Sequence, residues 1–231
     1  GNEGYRAEEL ERGLVRLHNV KGRKPAKGNF LAMRHSPRDH AGIYLLDSKD
    51  LLLQNVDMFQ CGGLGVLAQY SENVHLDRYR ARPNPARGRY FAGHDDGAHI
   101  AGCRGMVRIE NCEFAGLMDD PINVHGTSVR IIRKMGDDRL LCRFMHVSSV
   151  GLQWGREGDK VAFIENESMH PFAQGTVRSF KLLSTTDFEV TFGAPLPDGL
   201  EEGDALENLT WSPDVEIRNC RFGSCRARGV L

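Results

Sequence analysis

The sequence lacks an excess of charge of either sign: 30 Lys and Arg stand against 31 Asp and Glu, a formal net charge of −1. A nucleic-acid-binding surface needs a basic face, so this balance argues against nucleic acid as the main partner. No apolar run approaches the ~20 residues of a membrane-spanning helix. The six cysteines, Cys61, Cys103, Cys112, Cys142, Cys220 and Cys225, form no C-x-x-C pair, and no His/Cys cluster has zinc spacing. The chain opens on Gly1-Asn2-Glu3 without a signal-like segment or an initiator methionine, and it stops in mid-repeat at Gly229-Val230-Leu231. It therefore reads as an excised or processed piece, 231 residues long, enough for one or two domains.

What the sequence has is a repeat. Lys49 to Phe59, Gly105 to Phe114 and Pro213 to Phe222 each show apolar residues two apart, then Asn, then an aromatic residue or Met. Glu72 to Asp77 is a looser copy. Period-2 alternation marks a strand with one buried face. The Asn fits a corner, because it tolerates left-handed backbone angles better than most residues. Each copy is followed by glycine and a short apolar run: Gly65-Val66-Leu67, Pro121-Ile122-Asn123-Val124 and Gly229-Val230-Leu231. Short strands recurring every ~20–30 residues predict an all-β fold, a right-handed parallel β-helix. The shared place of Leu53, Leu76, Ile109 and Ile217 in the repeat predicts one inward column. Cys112 and Cys220 share a position too and are expected in an inward stack of small side chains.

The corner pattern stops between Thr127 and Thr210. Longer alternating segments with turn residues replace it, such as Ser128 to Arg133 and Arg139 to Phe144 around Gly136-Asp137-Asp138. They predict a small antiparallel barrel or sandwich inserted between coils. The expected domains are coils over 1–126, the inserted β-domain over 127–210, and resumed coils over 211–231. The basic stretch Lys21-Gly22-Arg23-Lys24 reads as solvated surface.

Two acidic pairs carry the chemistry. Asp95-Asp96 lies in G-H-D-D-G-A-H and Asp119-Asp120 in M-D-D-P-I-N-V-H-G, with Asp96 24 positions before Asp120. Residues one repeat apart stack at roughly 4.8 Å, so these carboxylates would crowd one patch. Crowded carboxylates push each other's pKa apart, which separates acid from base. Glycoside hydrolysis needs that division: one carboxyl protonates the leaving oxygen and another activates water or attacks the sugar. A single Asp in a corner more often caps backbone amides. Two aligned pairs flanked by His94, His99 and His125 point instead to a site, although each histidine alone reads as structural or substrate-orienting.

The stretch from Tyr44 to Gly126 resembles glycoside hydrolase family 110, bacterial exo-α-1,3-galactosidases. The matching pieces are L-L-L-Q-N-V, G-V-L-A-Q with S-E-N-V after it, H-D-D-G-A-H, C-R-G-M-V-R-I-E-N-C-E-F and M-D-D-P-I-N-V-H-G. The interrupting β-domain and the coil resuming after Trp211 are similar as well. The resemblance implies a parallel β-helix, hydrolysis with inversion, no metal or other cofactor, and a carbohydrate partner ending in α-linked galactose. It implies a secreted or periplasmic location and admits a homo-oligomer. It places the catalytic carboxylates at Asp96, Asp119 and Asp120; Asp95, His94, His99, Asn123 and His125, close to them in the two motifs, are the expected substrate-binding residues. Members of the family are longer than this chain.

Other readings remain. Polygalacturonase-type β-helix hydrolases share the layout of Asp96-Gly97 followed by Asp119-Asp120, but they also carry a downstream Gly-His-Gly and an R-x-K that this sequence lacks. A non-catalytic carbohydrate-binding β-helix would bury the carboxylates against backbone amides. A calcium-dependent lyase would ring a metal with them.

Overall fold

The computed structural model of the chain describes residues 6–22, 26–30 and 40–231; Arg23 and Lys24 of the basic stretch lie outside the described residues. Arg6–Glu11 and Leu14–His18 pair as an antiparallel hairpin. From Ile43 onward the period-2 segments build three four-stranded sheets. The first takes Lys49–Gln54, Glu72–Asp77, Arg104–Glu110 and Asp214–Arg218; the second, Asp57–Met58, Arg80–Ala81, Glu113–Ala115 and Arg221–Gly223. The third takes Ile43–Leu46, Val66–Gln69, Ala98–Ala101 and Ile122–His125. Every pairing in these sheets is parallel, and each repeat gives one strand to each sheet.

Register makes columns of the repeat positions. Leu53 pairs with Leu76, Leu76 with Ile109, and Ile109 with Ile217. Leu76 and Ile109 are fully buried, and Leu53 and Ile217 pack against the same core. The inward column expected from the sequence is therefore present. Cys112 and Cys220 also follow one another, with the Arg221 amide donating to the Cys112 carbonyl at 2.9 Å and both residues packed on this core.

The corners are left-handed. Asn55, Asn111 and Asn219 have φ of 55°, 57° and 50°, and Arg78, at the same place in the intervening coil, has φ 51°. Asparagine bears this conformation with little strain; an arginine does not, and needs help from its neighbours. That help is a ladder along the corner: Arg78 Nε donates to Asn55 Oδ1 at 2.7 Å, and Asn111 Nδ2 donates to Asp77 Oδ1 at 3.0 Å.

Between Ile122–His125 and Asp214–Arg218 the chain forms a closed antiparallel barrel, which settles the barrel-or-sandwich alternative. Around it the strands run Val129–Gly136, Arg139–Phe144, Asp187–Phe192, Pro171–Leu182, Lys160–Ile164 and Ala205–Asn208. Trp154, Phe163, Phe188 and Val190 fill its core. Directional contacts tie it to the coils. Trp154 Nε1 donates to the Thr127 carbonyl at 2.6 Å, and the Arg156 guanidinium reaches Asp47 at 2.8 Å. Trp211 lies between the guanidinium groups of Arg104 and Arg156, 4.8 and 4.7 Å from its ring, while its indole N–H donates to Asp159. Cation–π contacts of this kind contribute about 0.5–2 kcal/mol each. Among the described residues no helix is long and apolar enough to cross a membrane.

The stacked core makes a graded stability prediction. Leu76→Ala leaves a cavity in the column and is expected to cost about 2–5 kcal/mol. Leu52 lies on the outer face of the adjacent strand, 54% exposed, and Leu52→Ala is expected to change stability by less than about 0.5 kcal/mol. Urea unfolding of the two variants checks this, and equal losses would contradict the column.

Candidate active site

The site is built where the turns enter the third sheet. The Gly65 amide donates to the Asp96 carbonyl at 2.7 Å, and the Gly97 amide to the Asp120 carbonyl at 3.0 Å. Leu64, Asp96 and Asp120 therefore occupy one repeat position in successive coils. Glycine is required behind Asp96: a Cβ on Gly97 would meet Phe114 Cδ1 at 2.5 Å and the Pro121 carbonyl at 2.8 Å. The two turns thus sit closely one on the other.

Carboxylate oxygens of Asp96, Asp119 and Asp120 lie within 4.8 Å of one another. Asp96 and Asp120 are buried to 1% exposure, the burial expected of the non-catalytic alternative and not the shared exposure expected of a catalytic pair, and only Asp119 is half-buried. Such spacing suits a shared cation or an acid and a base held face to face. Their partners discriminate. Asp120 meets an arginine: Arg228 Nη2 donates to Oδ2 at 3.0 Å, Arg228 Nε to Oδ1 at 3.3 Å, and the Arg228 amide to Oδ1 at 2.9 Å. Asp120 thus has a positive partner already supplied, through charge-assisted hydrogen bonds.

Asp96 meets a histidine chain. Its Oδ2 lies 2.6 Å from His99 Nδ1, His99 Nε2 lies 3.0 Å from His125 Nε2, and His125 Nδ1 lies 2.5 Å from the Gly126 carbonyl. A carbonyl can only accept, so His125 carries its proton on Nδ1. Burial, followed by repulsion from His99 and His146, holds the His125 imidazole below its ordinary pKa, so its Nε2 is an acceptor. His99 must then donate from Nε2. One further proton lies in the hydrogen bond between His99 Nδ1 and Asp96 Oδ2. Asp96 Oδ1 is buried without a partner among the described residues.

The remaining expected residues are distributed around this centre. Asp95 is buried, with its Oδ2 3.0 Å from His94 Nδ1. It stands outside the three-carboxylate group. Asn123 is the register partner of His99, and its Oδ1 is buried without a partner among the described residues. Reading the sequence for acids and histidines passed over Arg228. The signal was present: Ile109 pairs with Ile217, an interval of 217 − 109 = 108, and Arg228 follows Asp120 by the same 108.

The barrel strands carry a first class assignment. A family profile described as "GLAA-B beta-barrel domain II" matches residues 139–206, most of the antiparallel barrel of this all-β chain. Comparison with curated proteins narrows it. The chain is 47% identical over 235 residues to "Alpha-1,3-galactosidase B" of Bacteroides thetaiotaomicron, covering 100% of the chain and 38% of that protein. It is 41% identical over 226 residues to "Alpha-1,3-galactosidase A" of Bacteroides fragilis, covering 97% of the chain and 37% of that protein. It is 33% identical over 236 residues to "Alpha-1,3-galactosidase B" of Parabacteroides distasonis, covering 96% and 38%. The chain is a homologue of proteins named alpha-1,3-galactosidase, in agreement with the resemblance read from its motifs, and it spans about 38% of their length.

The depressed His125 pKa has a consequence for stability. The unfolded chain binds this proton more tightly than the folded one, so the contribution is complete above the ordinary imidazole pKa of 6.5 and is lost as pH falls below it. Urea midpoints measured from pH 7.5 to pH 5 are expected to fall less steeply for His125→Asn than for the parent chain. An unchanged slope would remove His125 from the chain of protons.

Proposed function

We propose that this chain supplies the catalytic carboxylates of a glycoside hydrolase that removes terminal α-1,3-linked galactose with inversion. The observation that carries the reading is the convergence of three carboxylates whose partners differ: Asp96 shares a proton with His99, whereas Asp120 is clamped by Arg228. General acid–base hydrolysis of a glycoside needs one carboxyl group with a proton to give and one without. Asp96 is accordingly the acid that protonates the leaving oxygen. Asp120, with Asp119 beside it, is the base that takes a proton from water. The names of the homologues support galactose as the sugar.

Carboxylate oxygens that all lie within 4.8 Å of one another, taken alone, favour the roughly 5–5.5 Å gap of a retaining enzyme over the roughly 6.5–9.5 Å gap that admits a water. The state of Asp120 weighs more. A retaining nucleophile must leave its partners and bond to the anomeric carbon, but both Asp120 oxygens are engaged by Arg228 inside a buried turn. Oδ2, which accepts from Arg228 Nη2 alone, still has a lone pair with which to accept a proton from water.

The same proposal covers the architecture. Three parallel sheets, one strand of each per repeat, are read as the walls of a right-handed parallel β-helix, the hand that parallel crossovers adopt in about 98% of cases. The secreted or periplasmic location and the absence of a cofactor are carried from the family resemblance.

The test is incubation of the chain with a terminal α-1,3-galactoside and, separately, with polygalacturonate. Galactose release from the first alone is expected. Asp96→Asn, Asp119→Asn and Asp120→Asn are each expected to lower the rate by about 10²–10⁴-fold without unfolding the chain, because an amide neither gives nor takes the proton. Full activity in any one of them, with unchanged thermal unfolding, would assign that residue to structure.

A further inference from the structure

The cysteine column holds a chemistry that the carboxylate site does not use. Cys112 and Cys220 each follow a left-handed corner asparagine, Asn111 and Asn219, with φ of 57° and 50°. Register carries that likeness into space: Glu110 pairs with Arg218 before the corner, and Glu113 with Arg221 after it. The two cysteines are therefore direct counterparts in adjacent coils. Neighbours in such a stack lie roughly 4.8 Å apart along the backbone, inside the roughly 4.4–6.8 Å that a disulfide spans between its Cα atoms. Both side chains pack on the core shared by the three sheets. Cys112 Sγ reaches the Glu110 carbonyl at 3.2 Å, and Cys220 Sγ makes the equivalent contact with the Arg218 carbonyl at 3.3 Å. The two side chains also hydrogen-bond each other.

The other four thiols have no cysteine counterpart. Cys61 stacks on Gly93. The Arg104 amide donates to the Ser71 carbonyl and the Arg226 amide to the Leu117 carbonyl, which sets Cys103 on Ser71 and Cys225 on Leu117. Cys142 lies in the barrel between Ile131 and Phe188. Access separates the members of the pair: Cys112 is 2% exposed, whereas Cys220 is half-buried. Burial holds both thiols above their ordinary pKa, Cys112 at about 12. Thiolate is the attacking species, so reaction is slow and begins at Cys220.

We propose that Cys112 and Cys220 are a modification site, joined into a disulfide by exchange with an oxidising small-molecule disulfide. The Cys220 thiolate attacks one sulfur of RSSR; the Cys220–SR bond forms and RS⁻ leaves. Cys112 gives up its proton and attacks the Cys220 sulfur, and the second RS⁻ leaves. Two protein thiols are thereby oxidised, and one RSSR is reduced to two RSH, which take up the two protons. The link closes a loop of 220 − 112 = 108 residues that contains the whole barrel. Cross-links across long loops restrict the unfolded chain most. Asp120 and Arg228 each lie eight residues beyond one of these cysteines, since 120 − 112 = 228 − 220 = 8. The staple thus fixes the two coils whose turns the Asp120–Arg228 contact joins, whichever sugar the site takes.

Oxidised glutathione is the probe. The whole folded chain is incubated with it at pH 8, alkylated and unfolded, and its non-reduced peptides are mapped by mass. Free thiols are expected to fall by two, from six to four, with the Cys112 and Cys220 peptides joined. The oxidised chain is expected to unfold at a higher urea midpoint than the reduced one. Cys220→Ser is expected to abolish both the link and the midpoint difference, while Cys225→Ser, a change at the neighbouring half-buried thiol, is expected to keep both. Retention of all six thiols in the parent chain overturns the site. So does glutathione left on Cys220 without transfer to Cys112, or a link from either residue to Cys225. A Cys112–Cys220 link that leaves the urea midpoint unchanged would overturn the staple.

Discussion

Adjacent strands in the three sheets run parallel and in register, so a residue lies over its counterpart one repeat earlier and under its counterpart one repeat later. Backbone hydrogen bonding fixes this stacking at roughly 4.8 Å per step. Every column must then be chemically tolerable along its length. Apolar columns satisfy the condition by burial, as Leu53, Leu76, Ile109 and Ile217 do. Corner columns satisfy it with amide and guanidinium ladders that run parallel to the stack.

The column of Leu64, Asp96, Asp120 and Arg228 is where that condition turns into chemistry. Two carboxylates one step apart repel, and desolvation at 1% exposure makes the repulsion stronger. The chain answers from both ends. Arg228, one step beyond Asp120, supplies a full positive charge, and His99, one turn along the strand from Asp96, shares a proton with it. One register rule thus places the two acids together and supplies each with a different partner. The barrel matters here because the strand bearing Arg228's coil reaches its place only after the chain has passed through it.

Much of this was legible in the sequence. The period-2 segments, the corner asparagines and the 24-residue offset of Asp96 and Asp120 all follow from a repeat that stacks on itself. The antiparallel hairpins between Thr127 and Thr210 were visible because their period changes from short strands with corners to long alternation. What was not legible has physical reasons. Arg78 and Tyr70 adopt φ of 51° and 47° where intrinsic preference disfavours it; stacking onto the coils overrides that preference. Arg228 was hidden because its partner lies across the whole barrel, although the 108-residue offset of the core column predicts it.

The proposed division of roles between Asp96 and Asp120 is the central claim, and stereochemistry reads it most directly. Proton NMR of an α-1,3-galactoside during the first turnovers records which anomer of galactose appears before mutarotation. The proposed roles, Asp120 clamped by Arg228 as base and Asp96 as acid, predict β-galactose first. First release of α-galactose would mean that a carboxylate attacks the sugar itself, and would contradict the role given to Asp120 and its arginine.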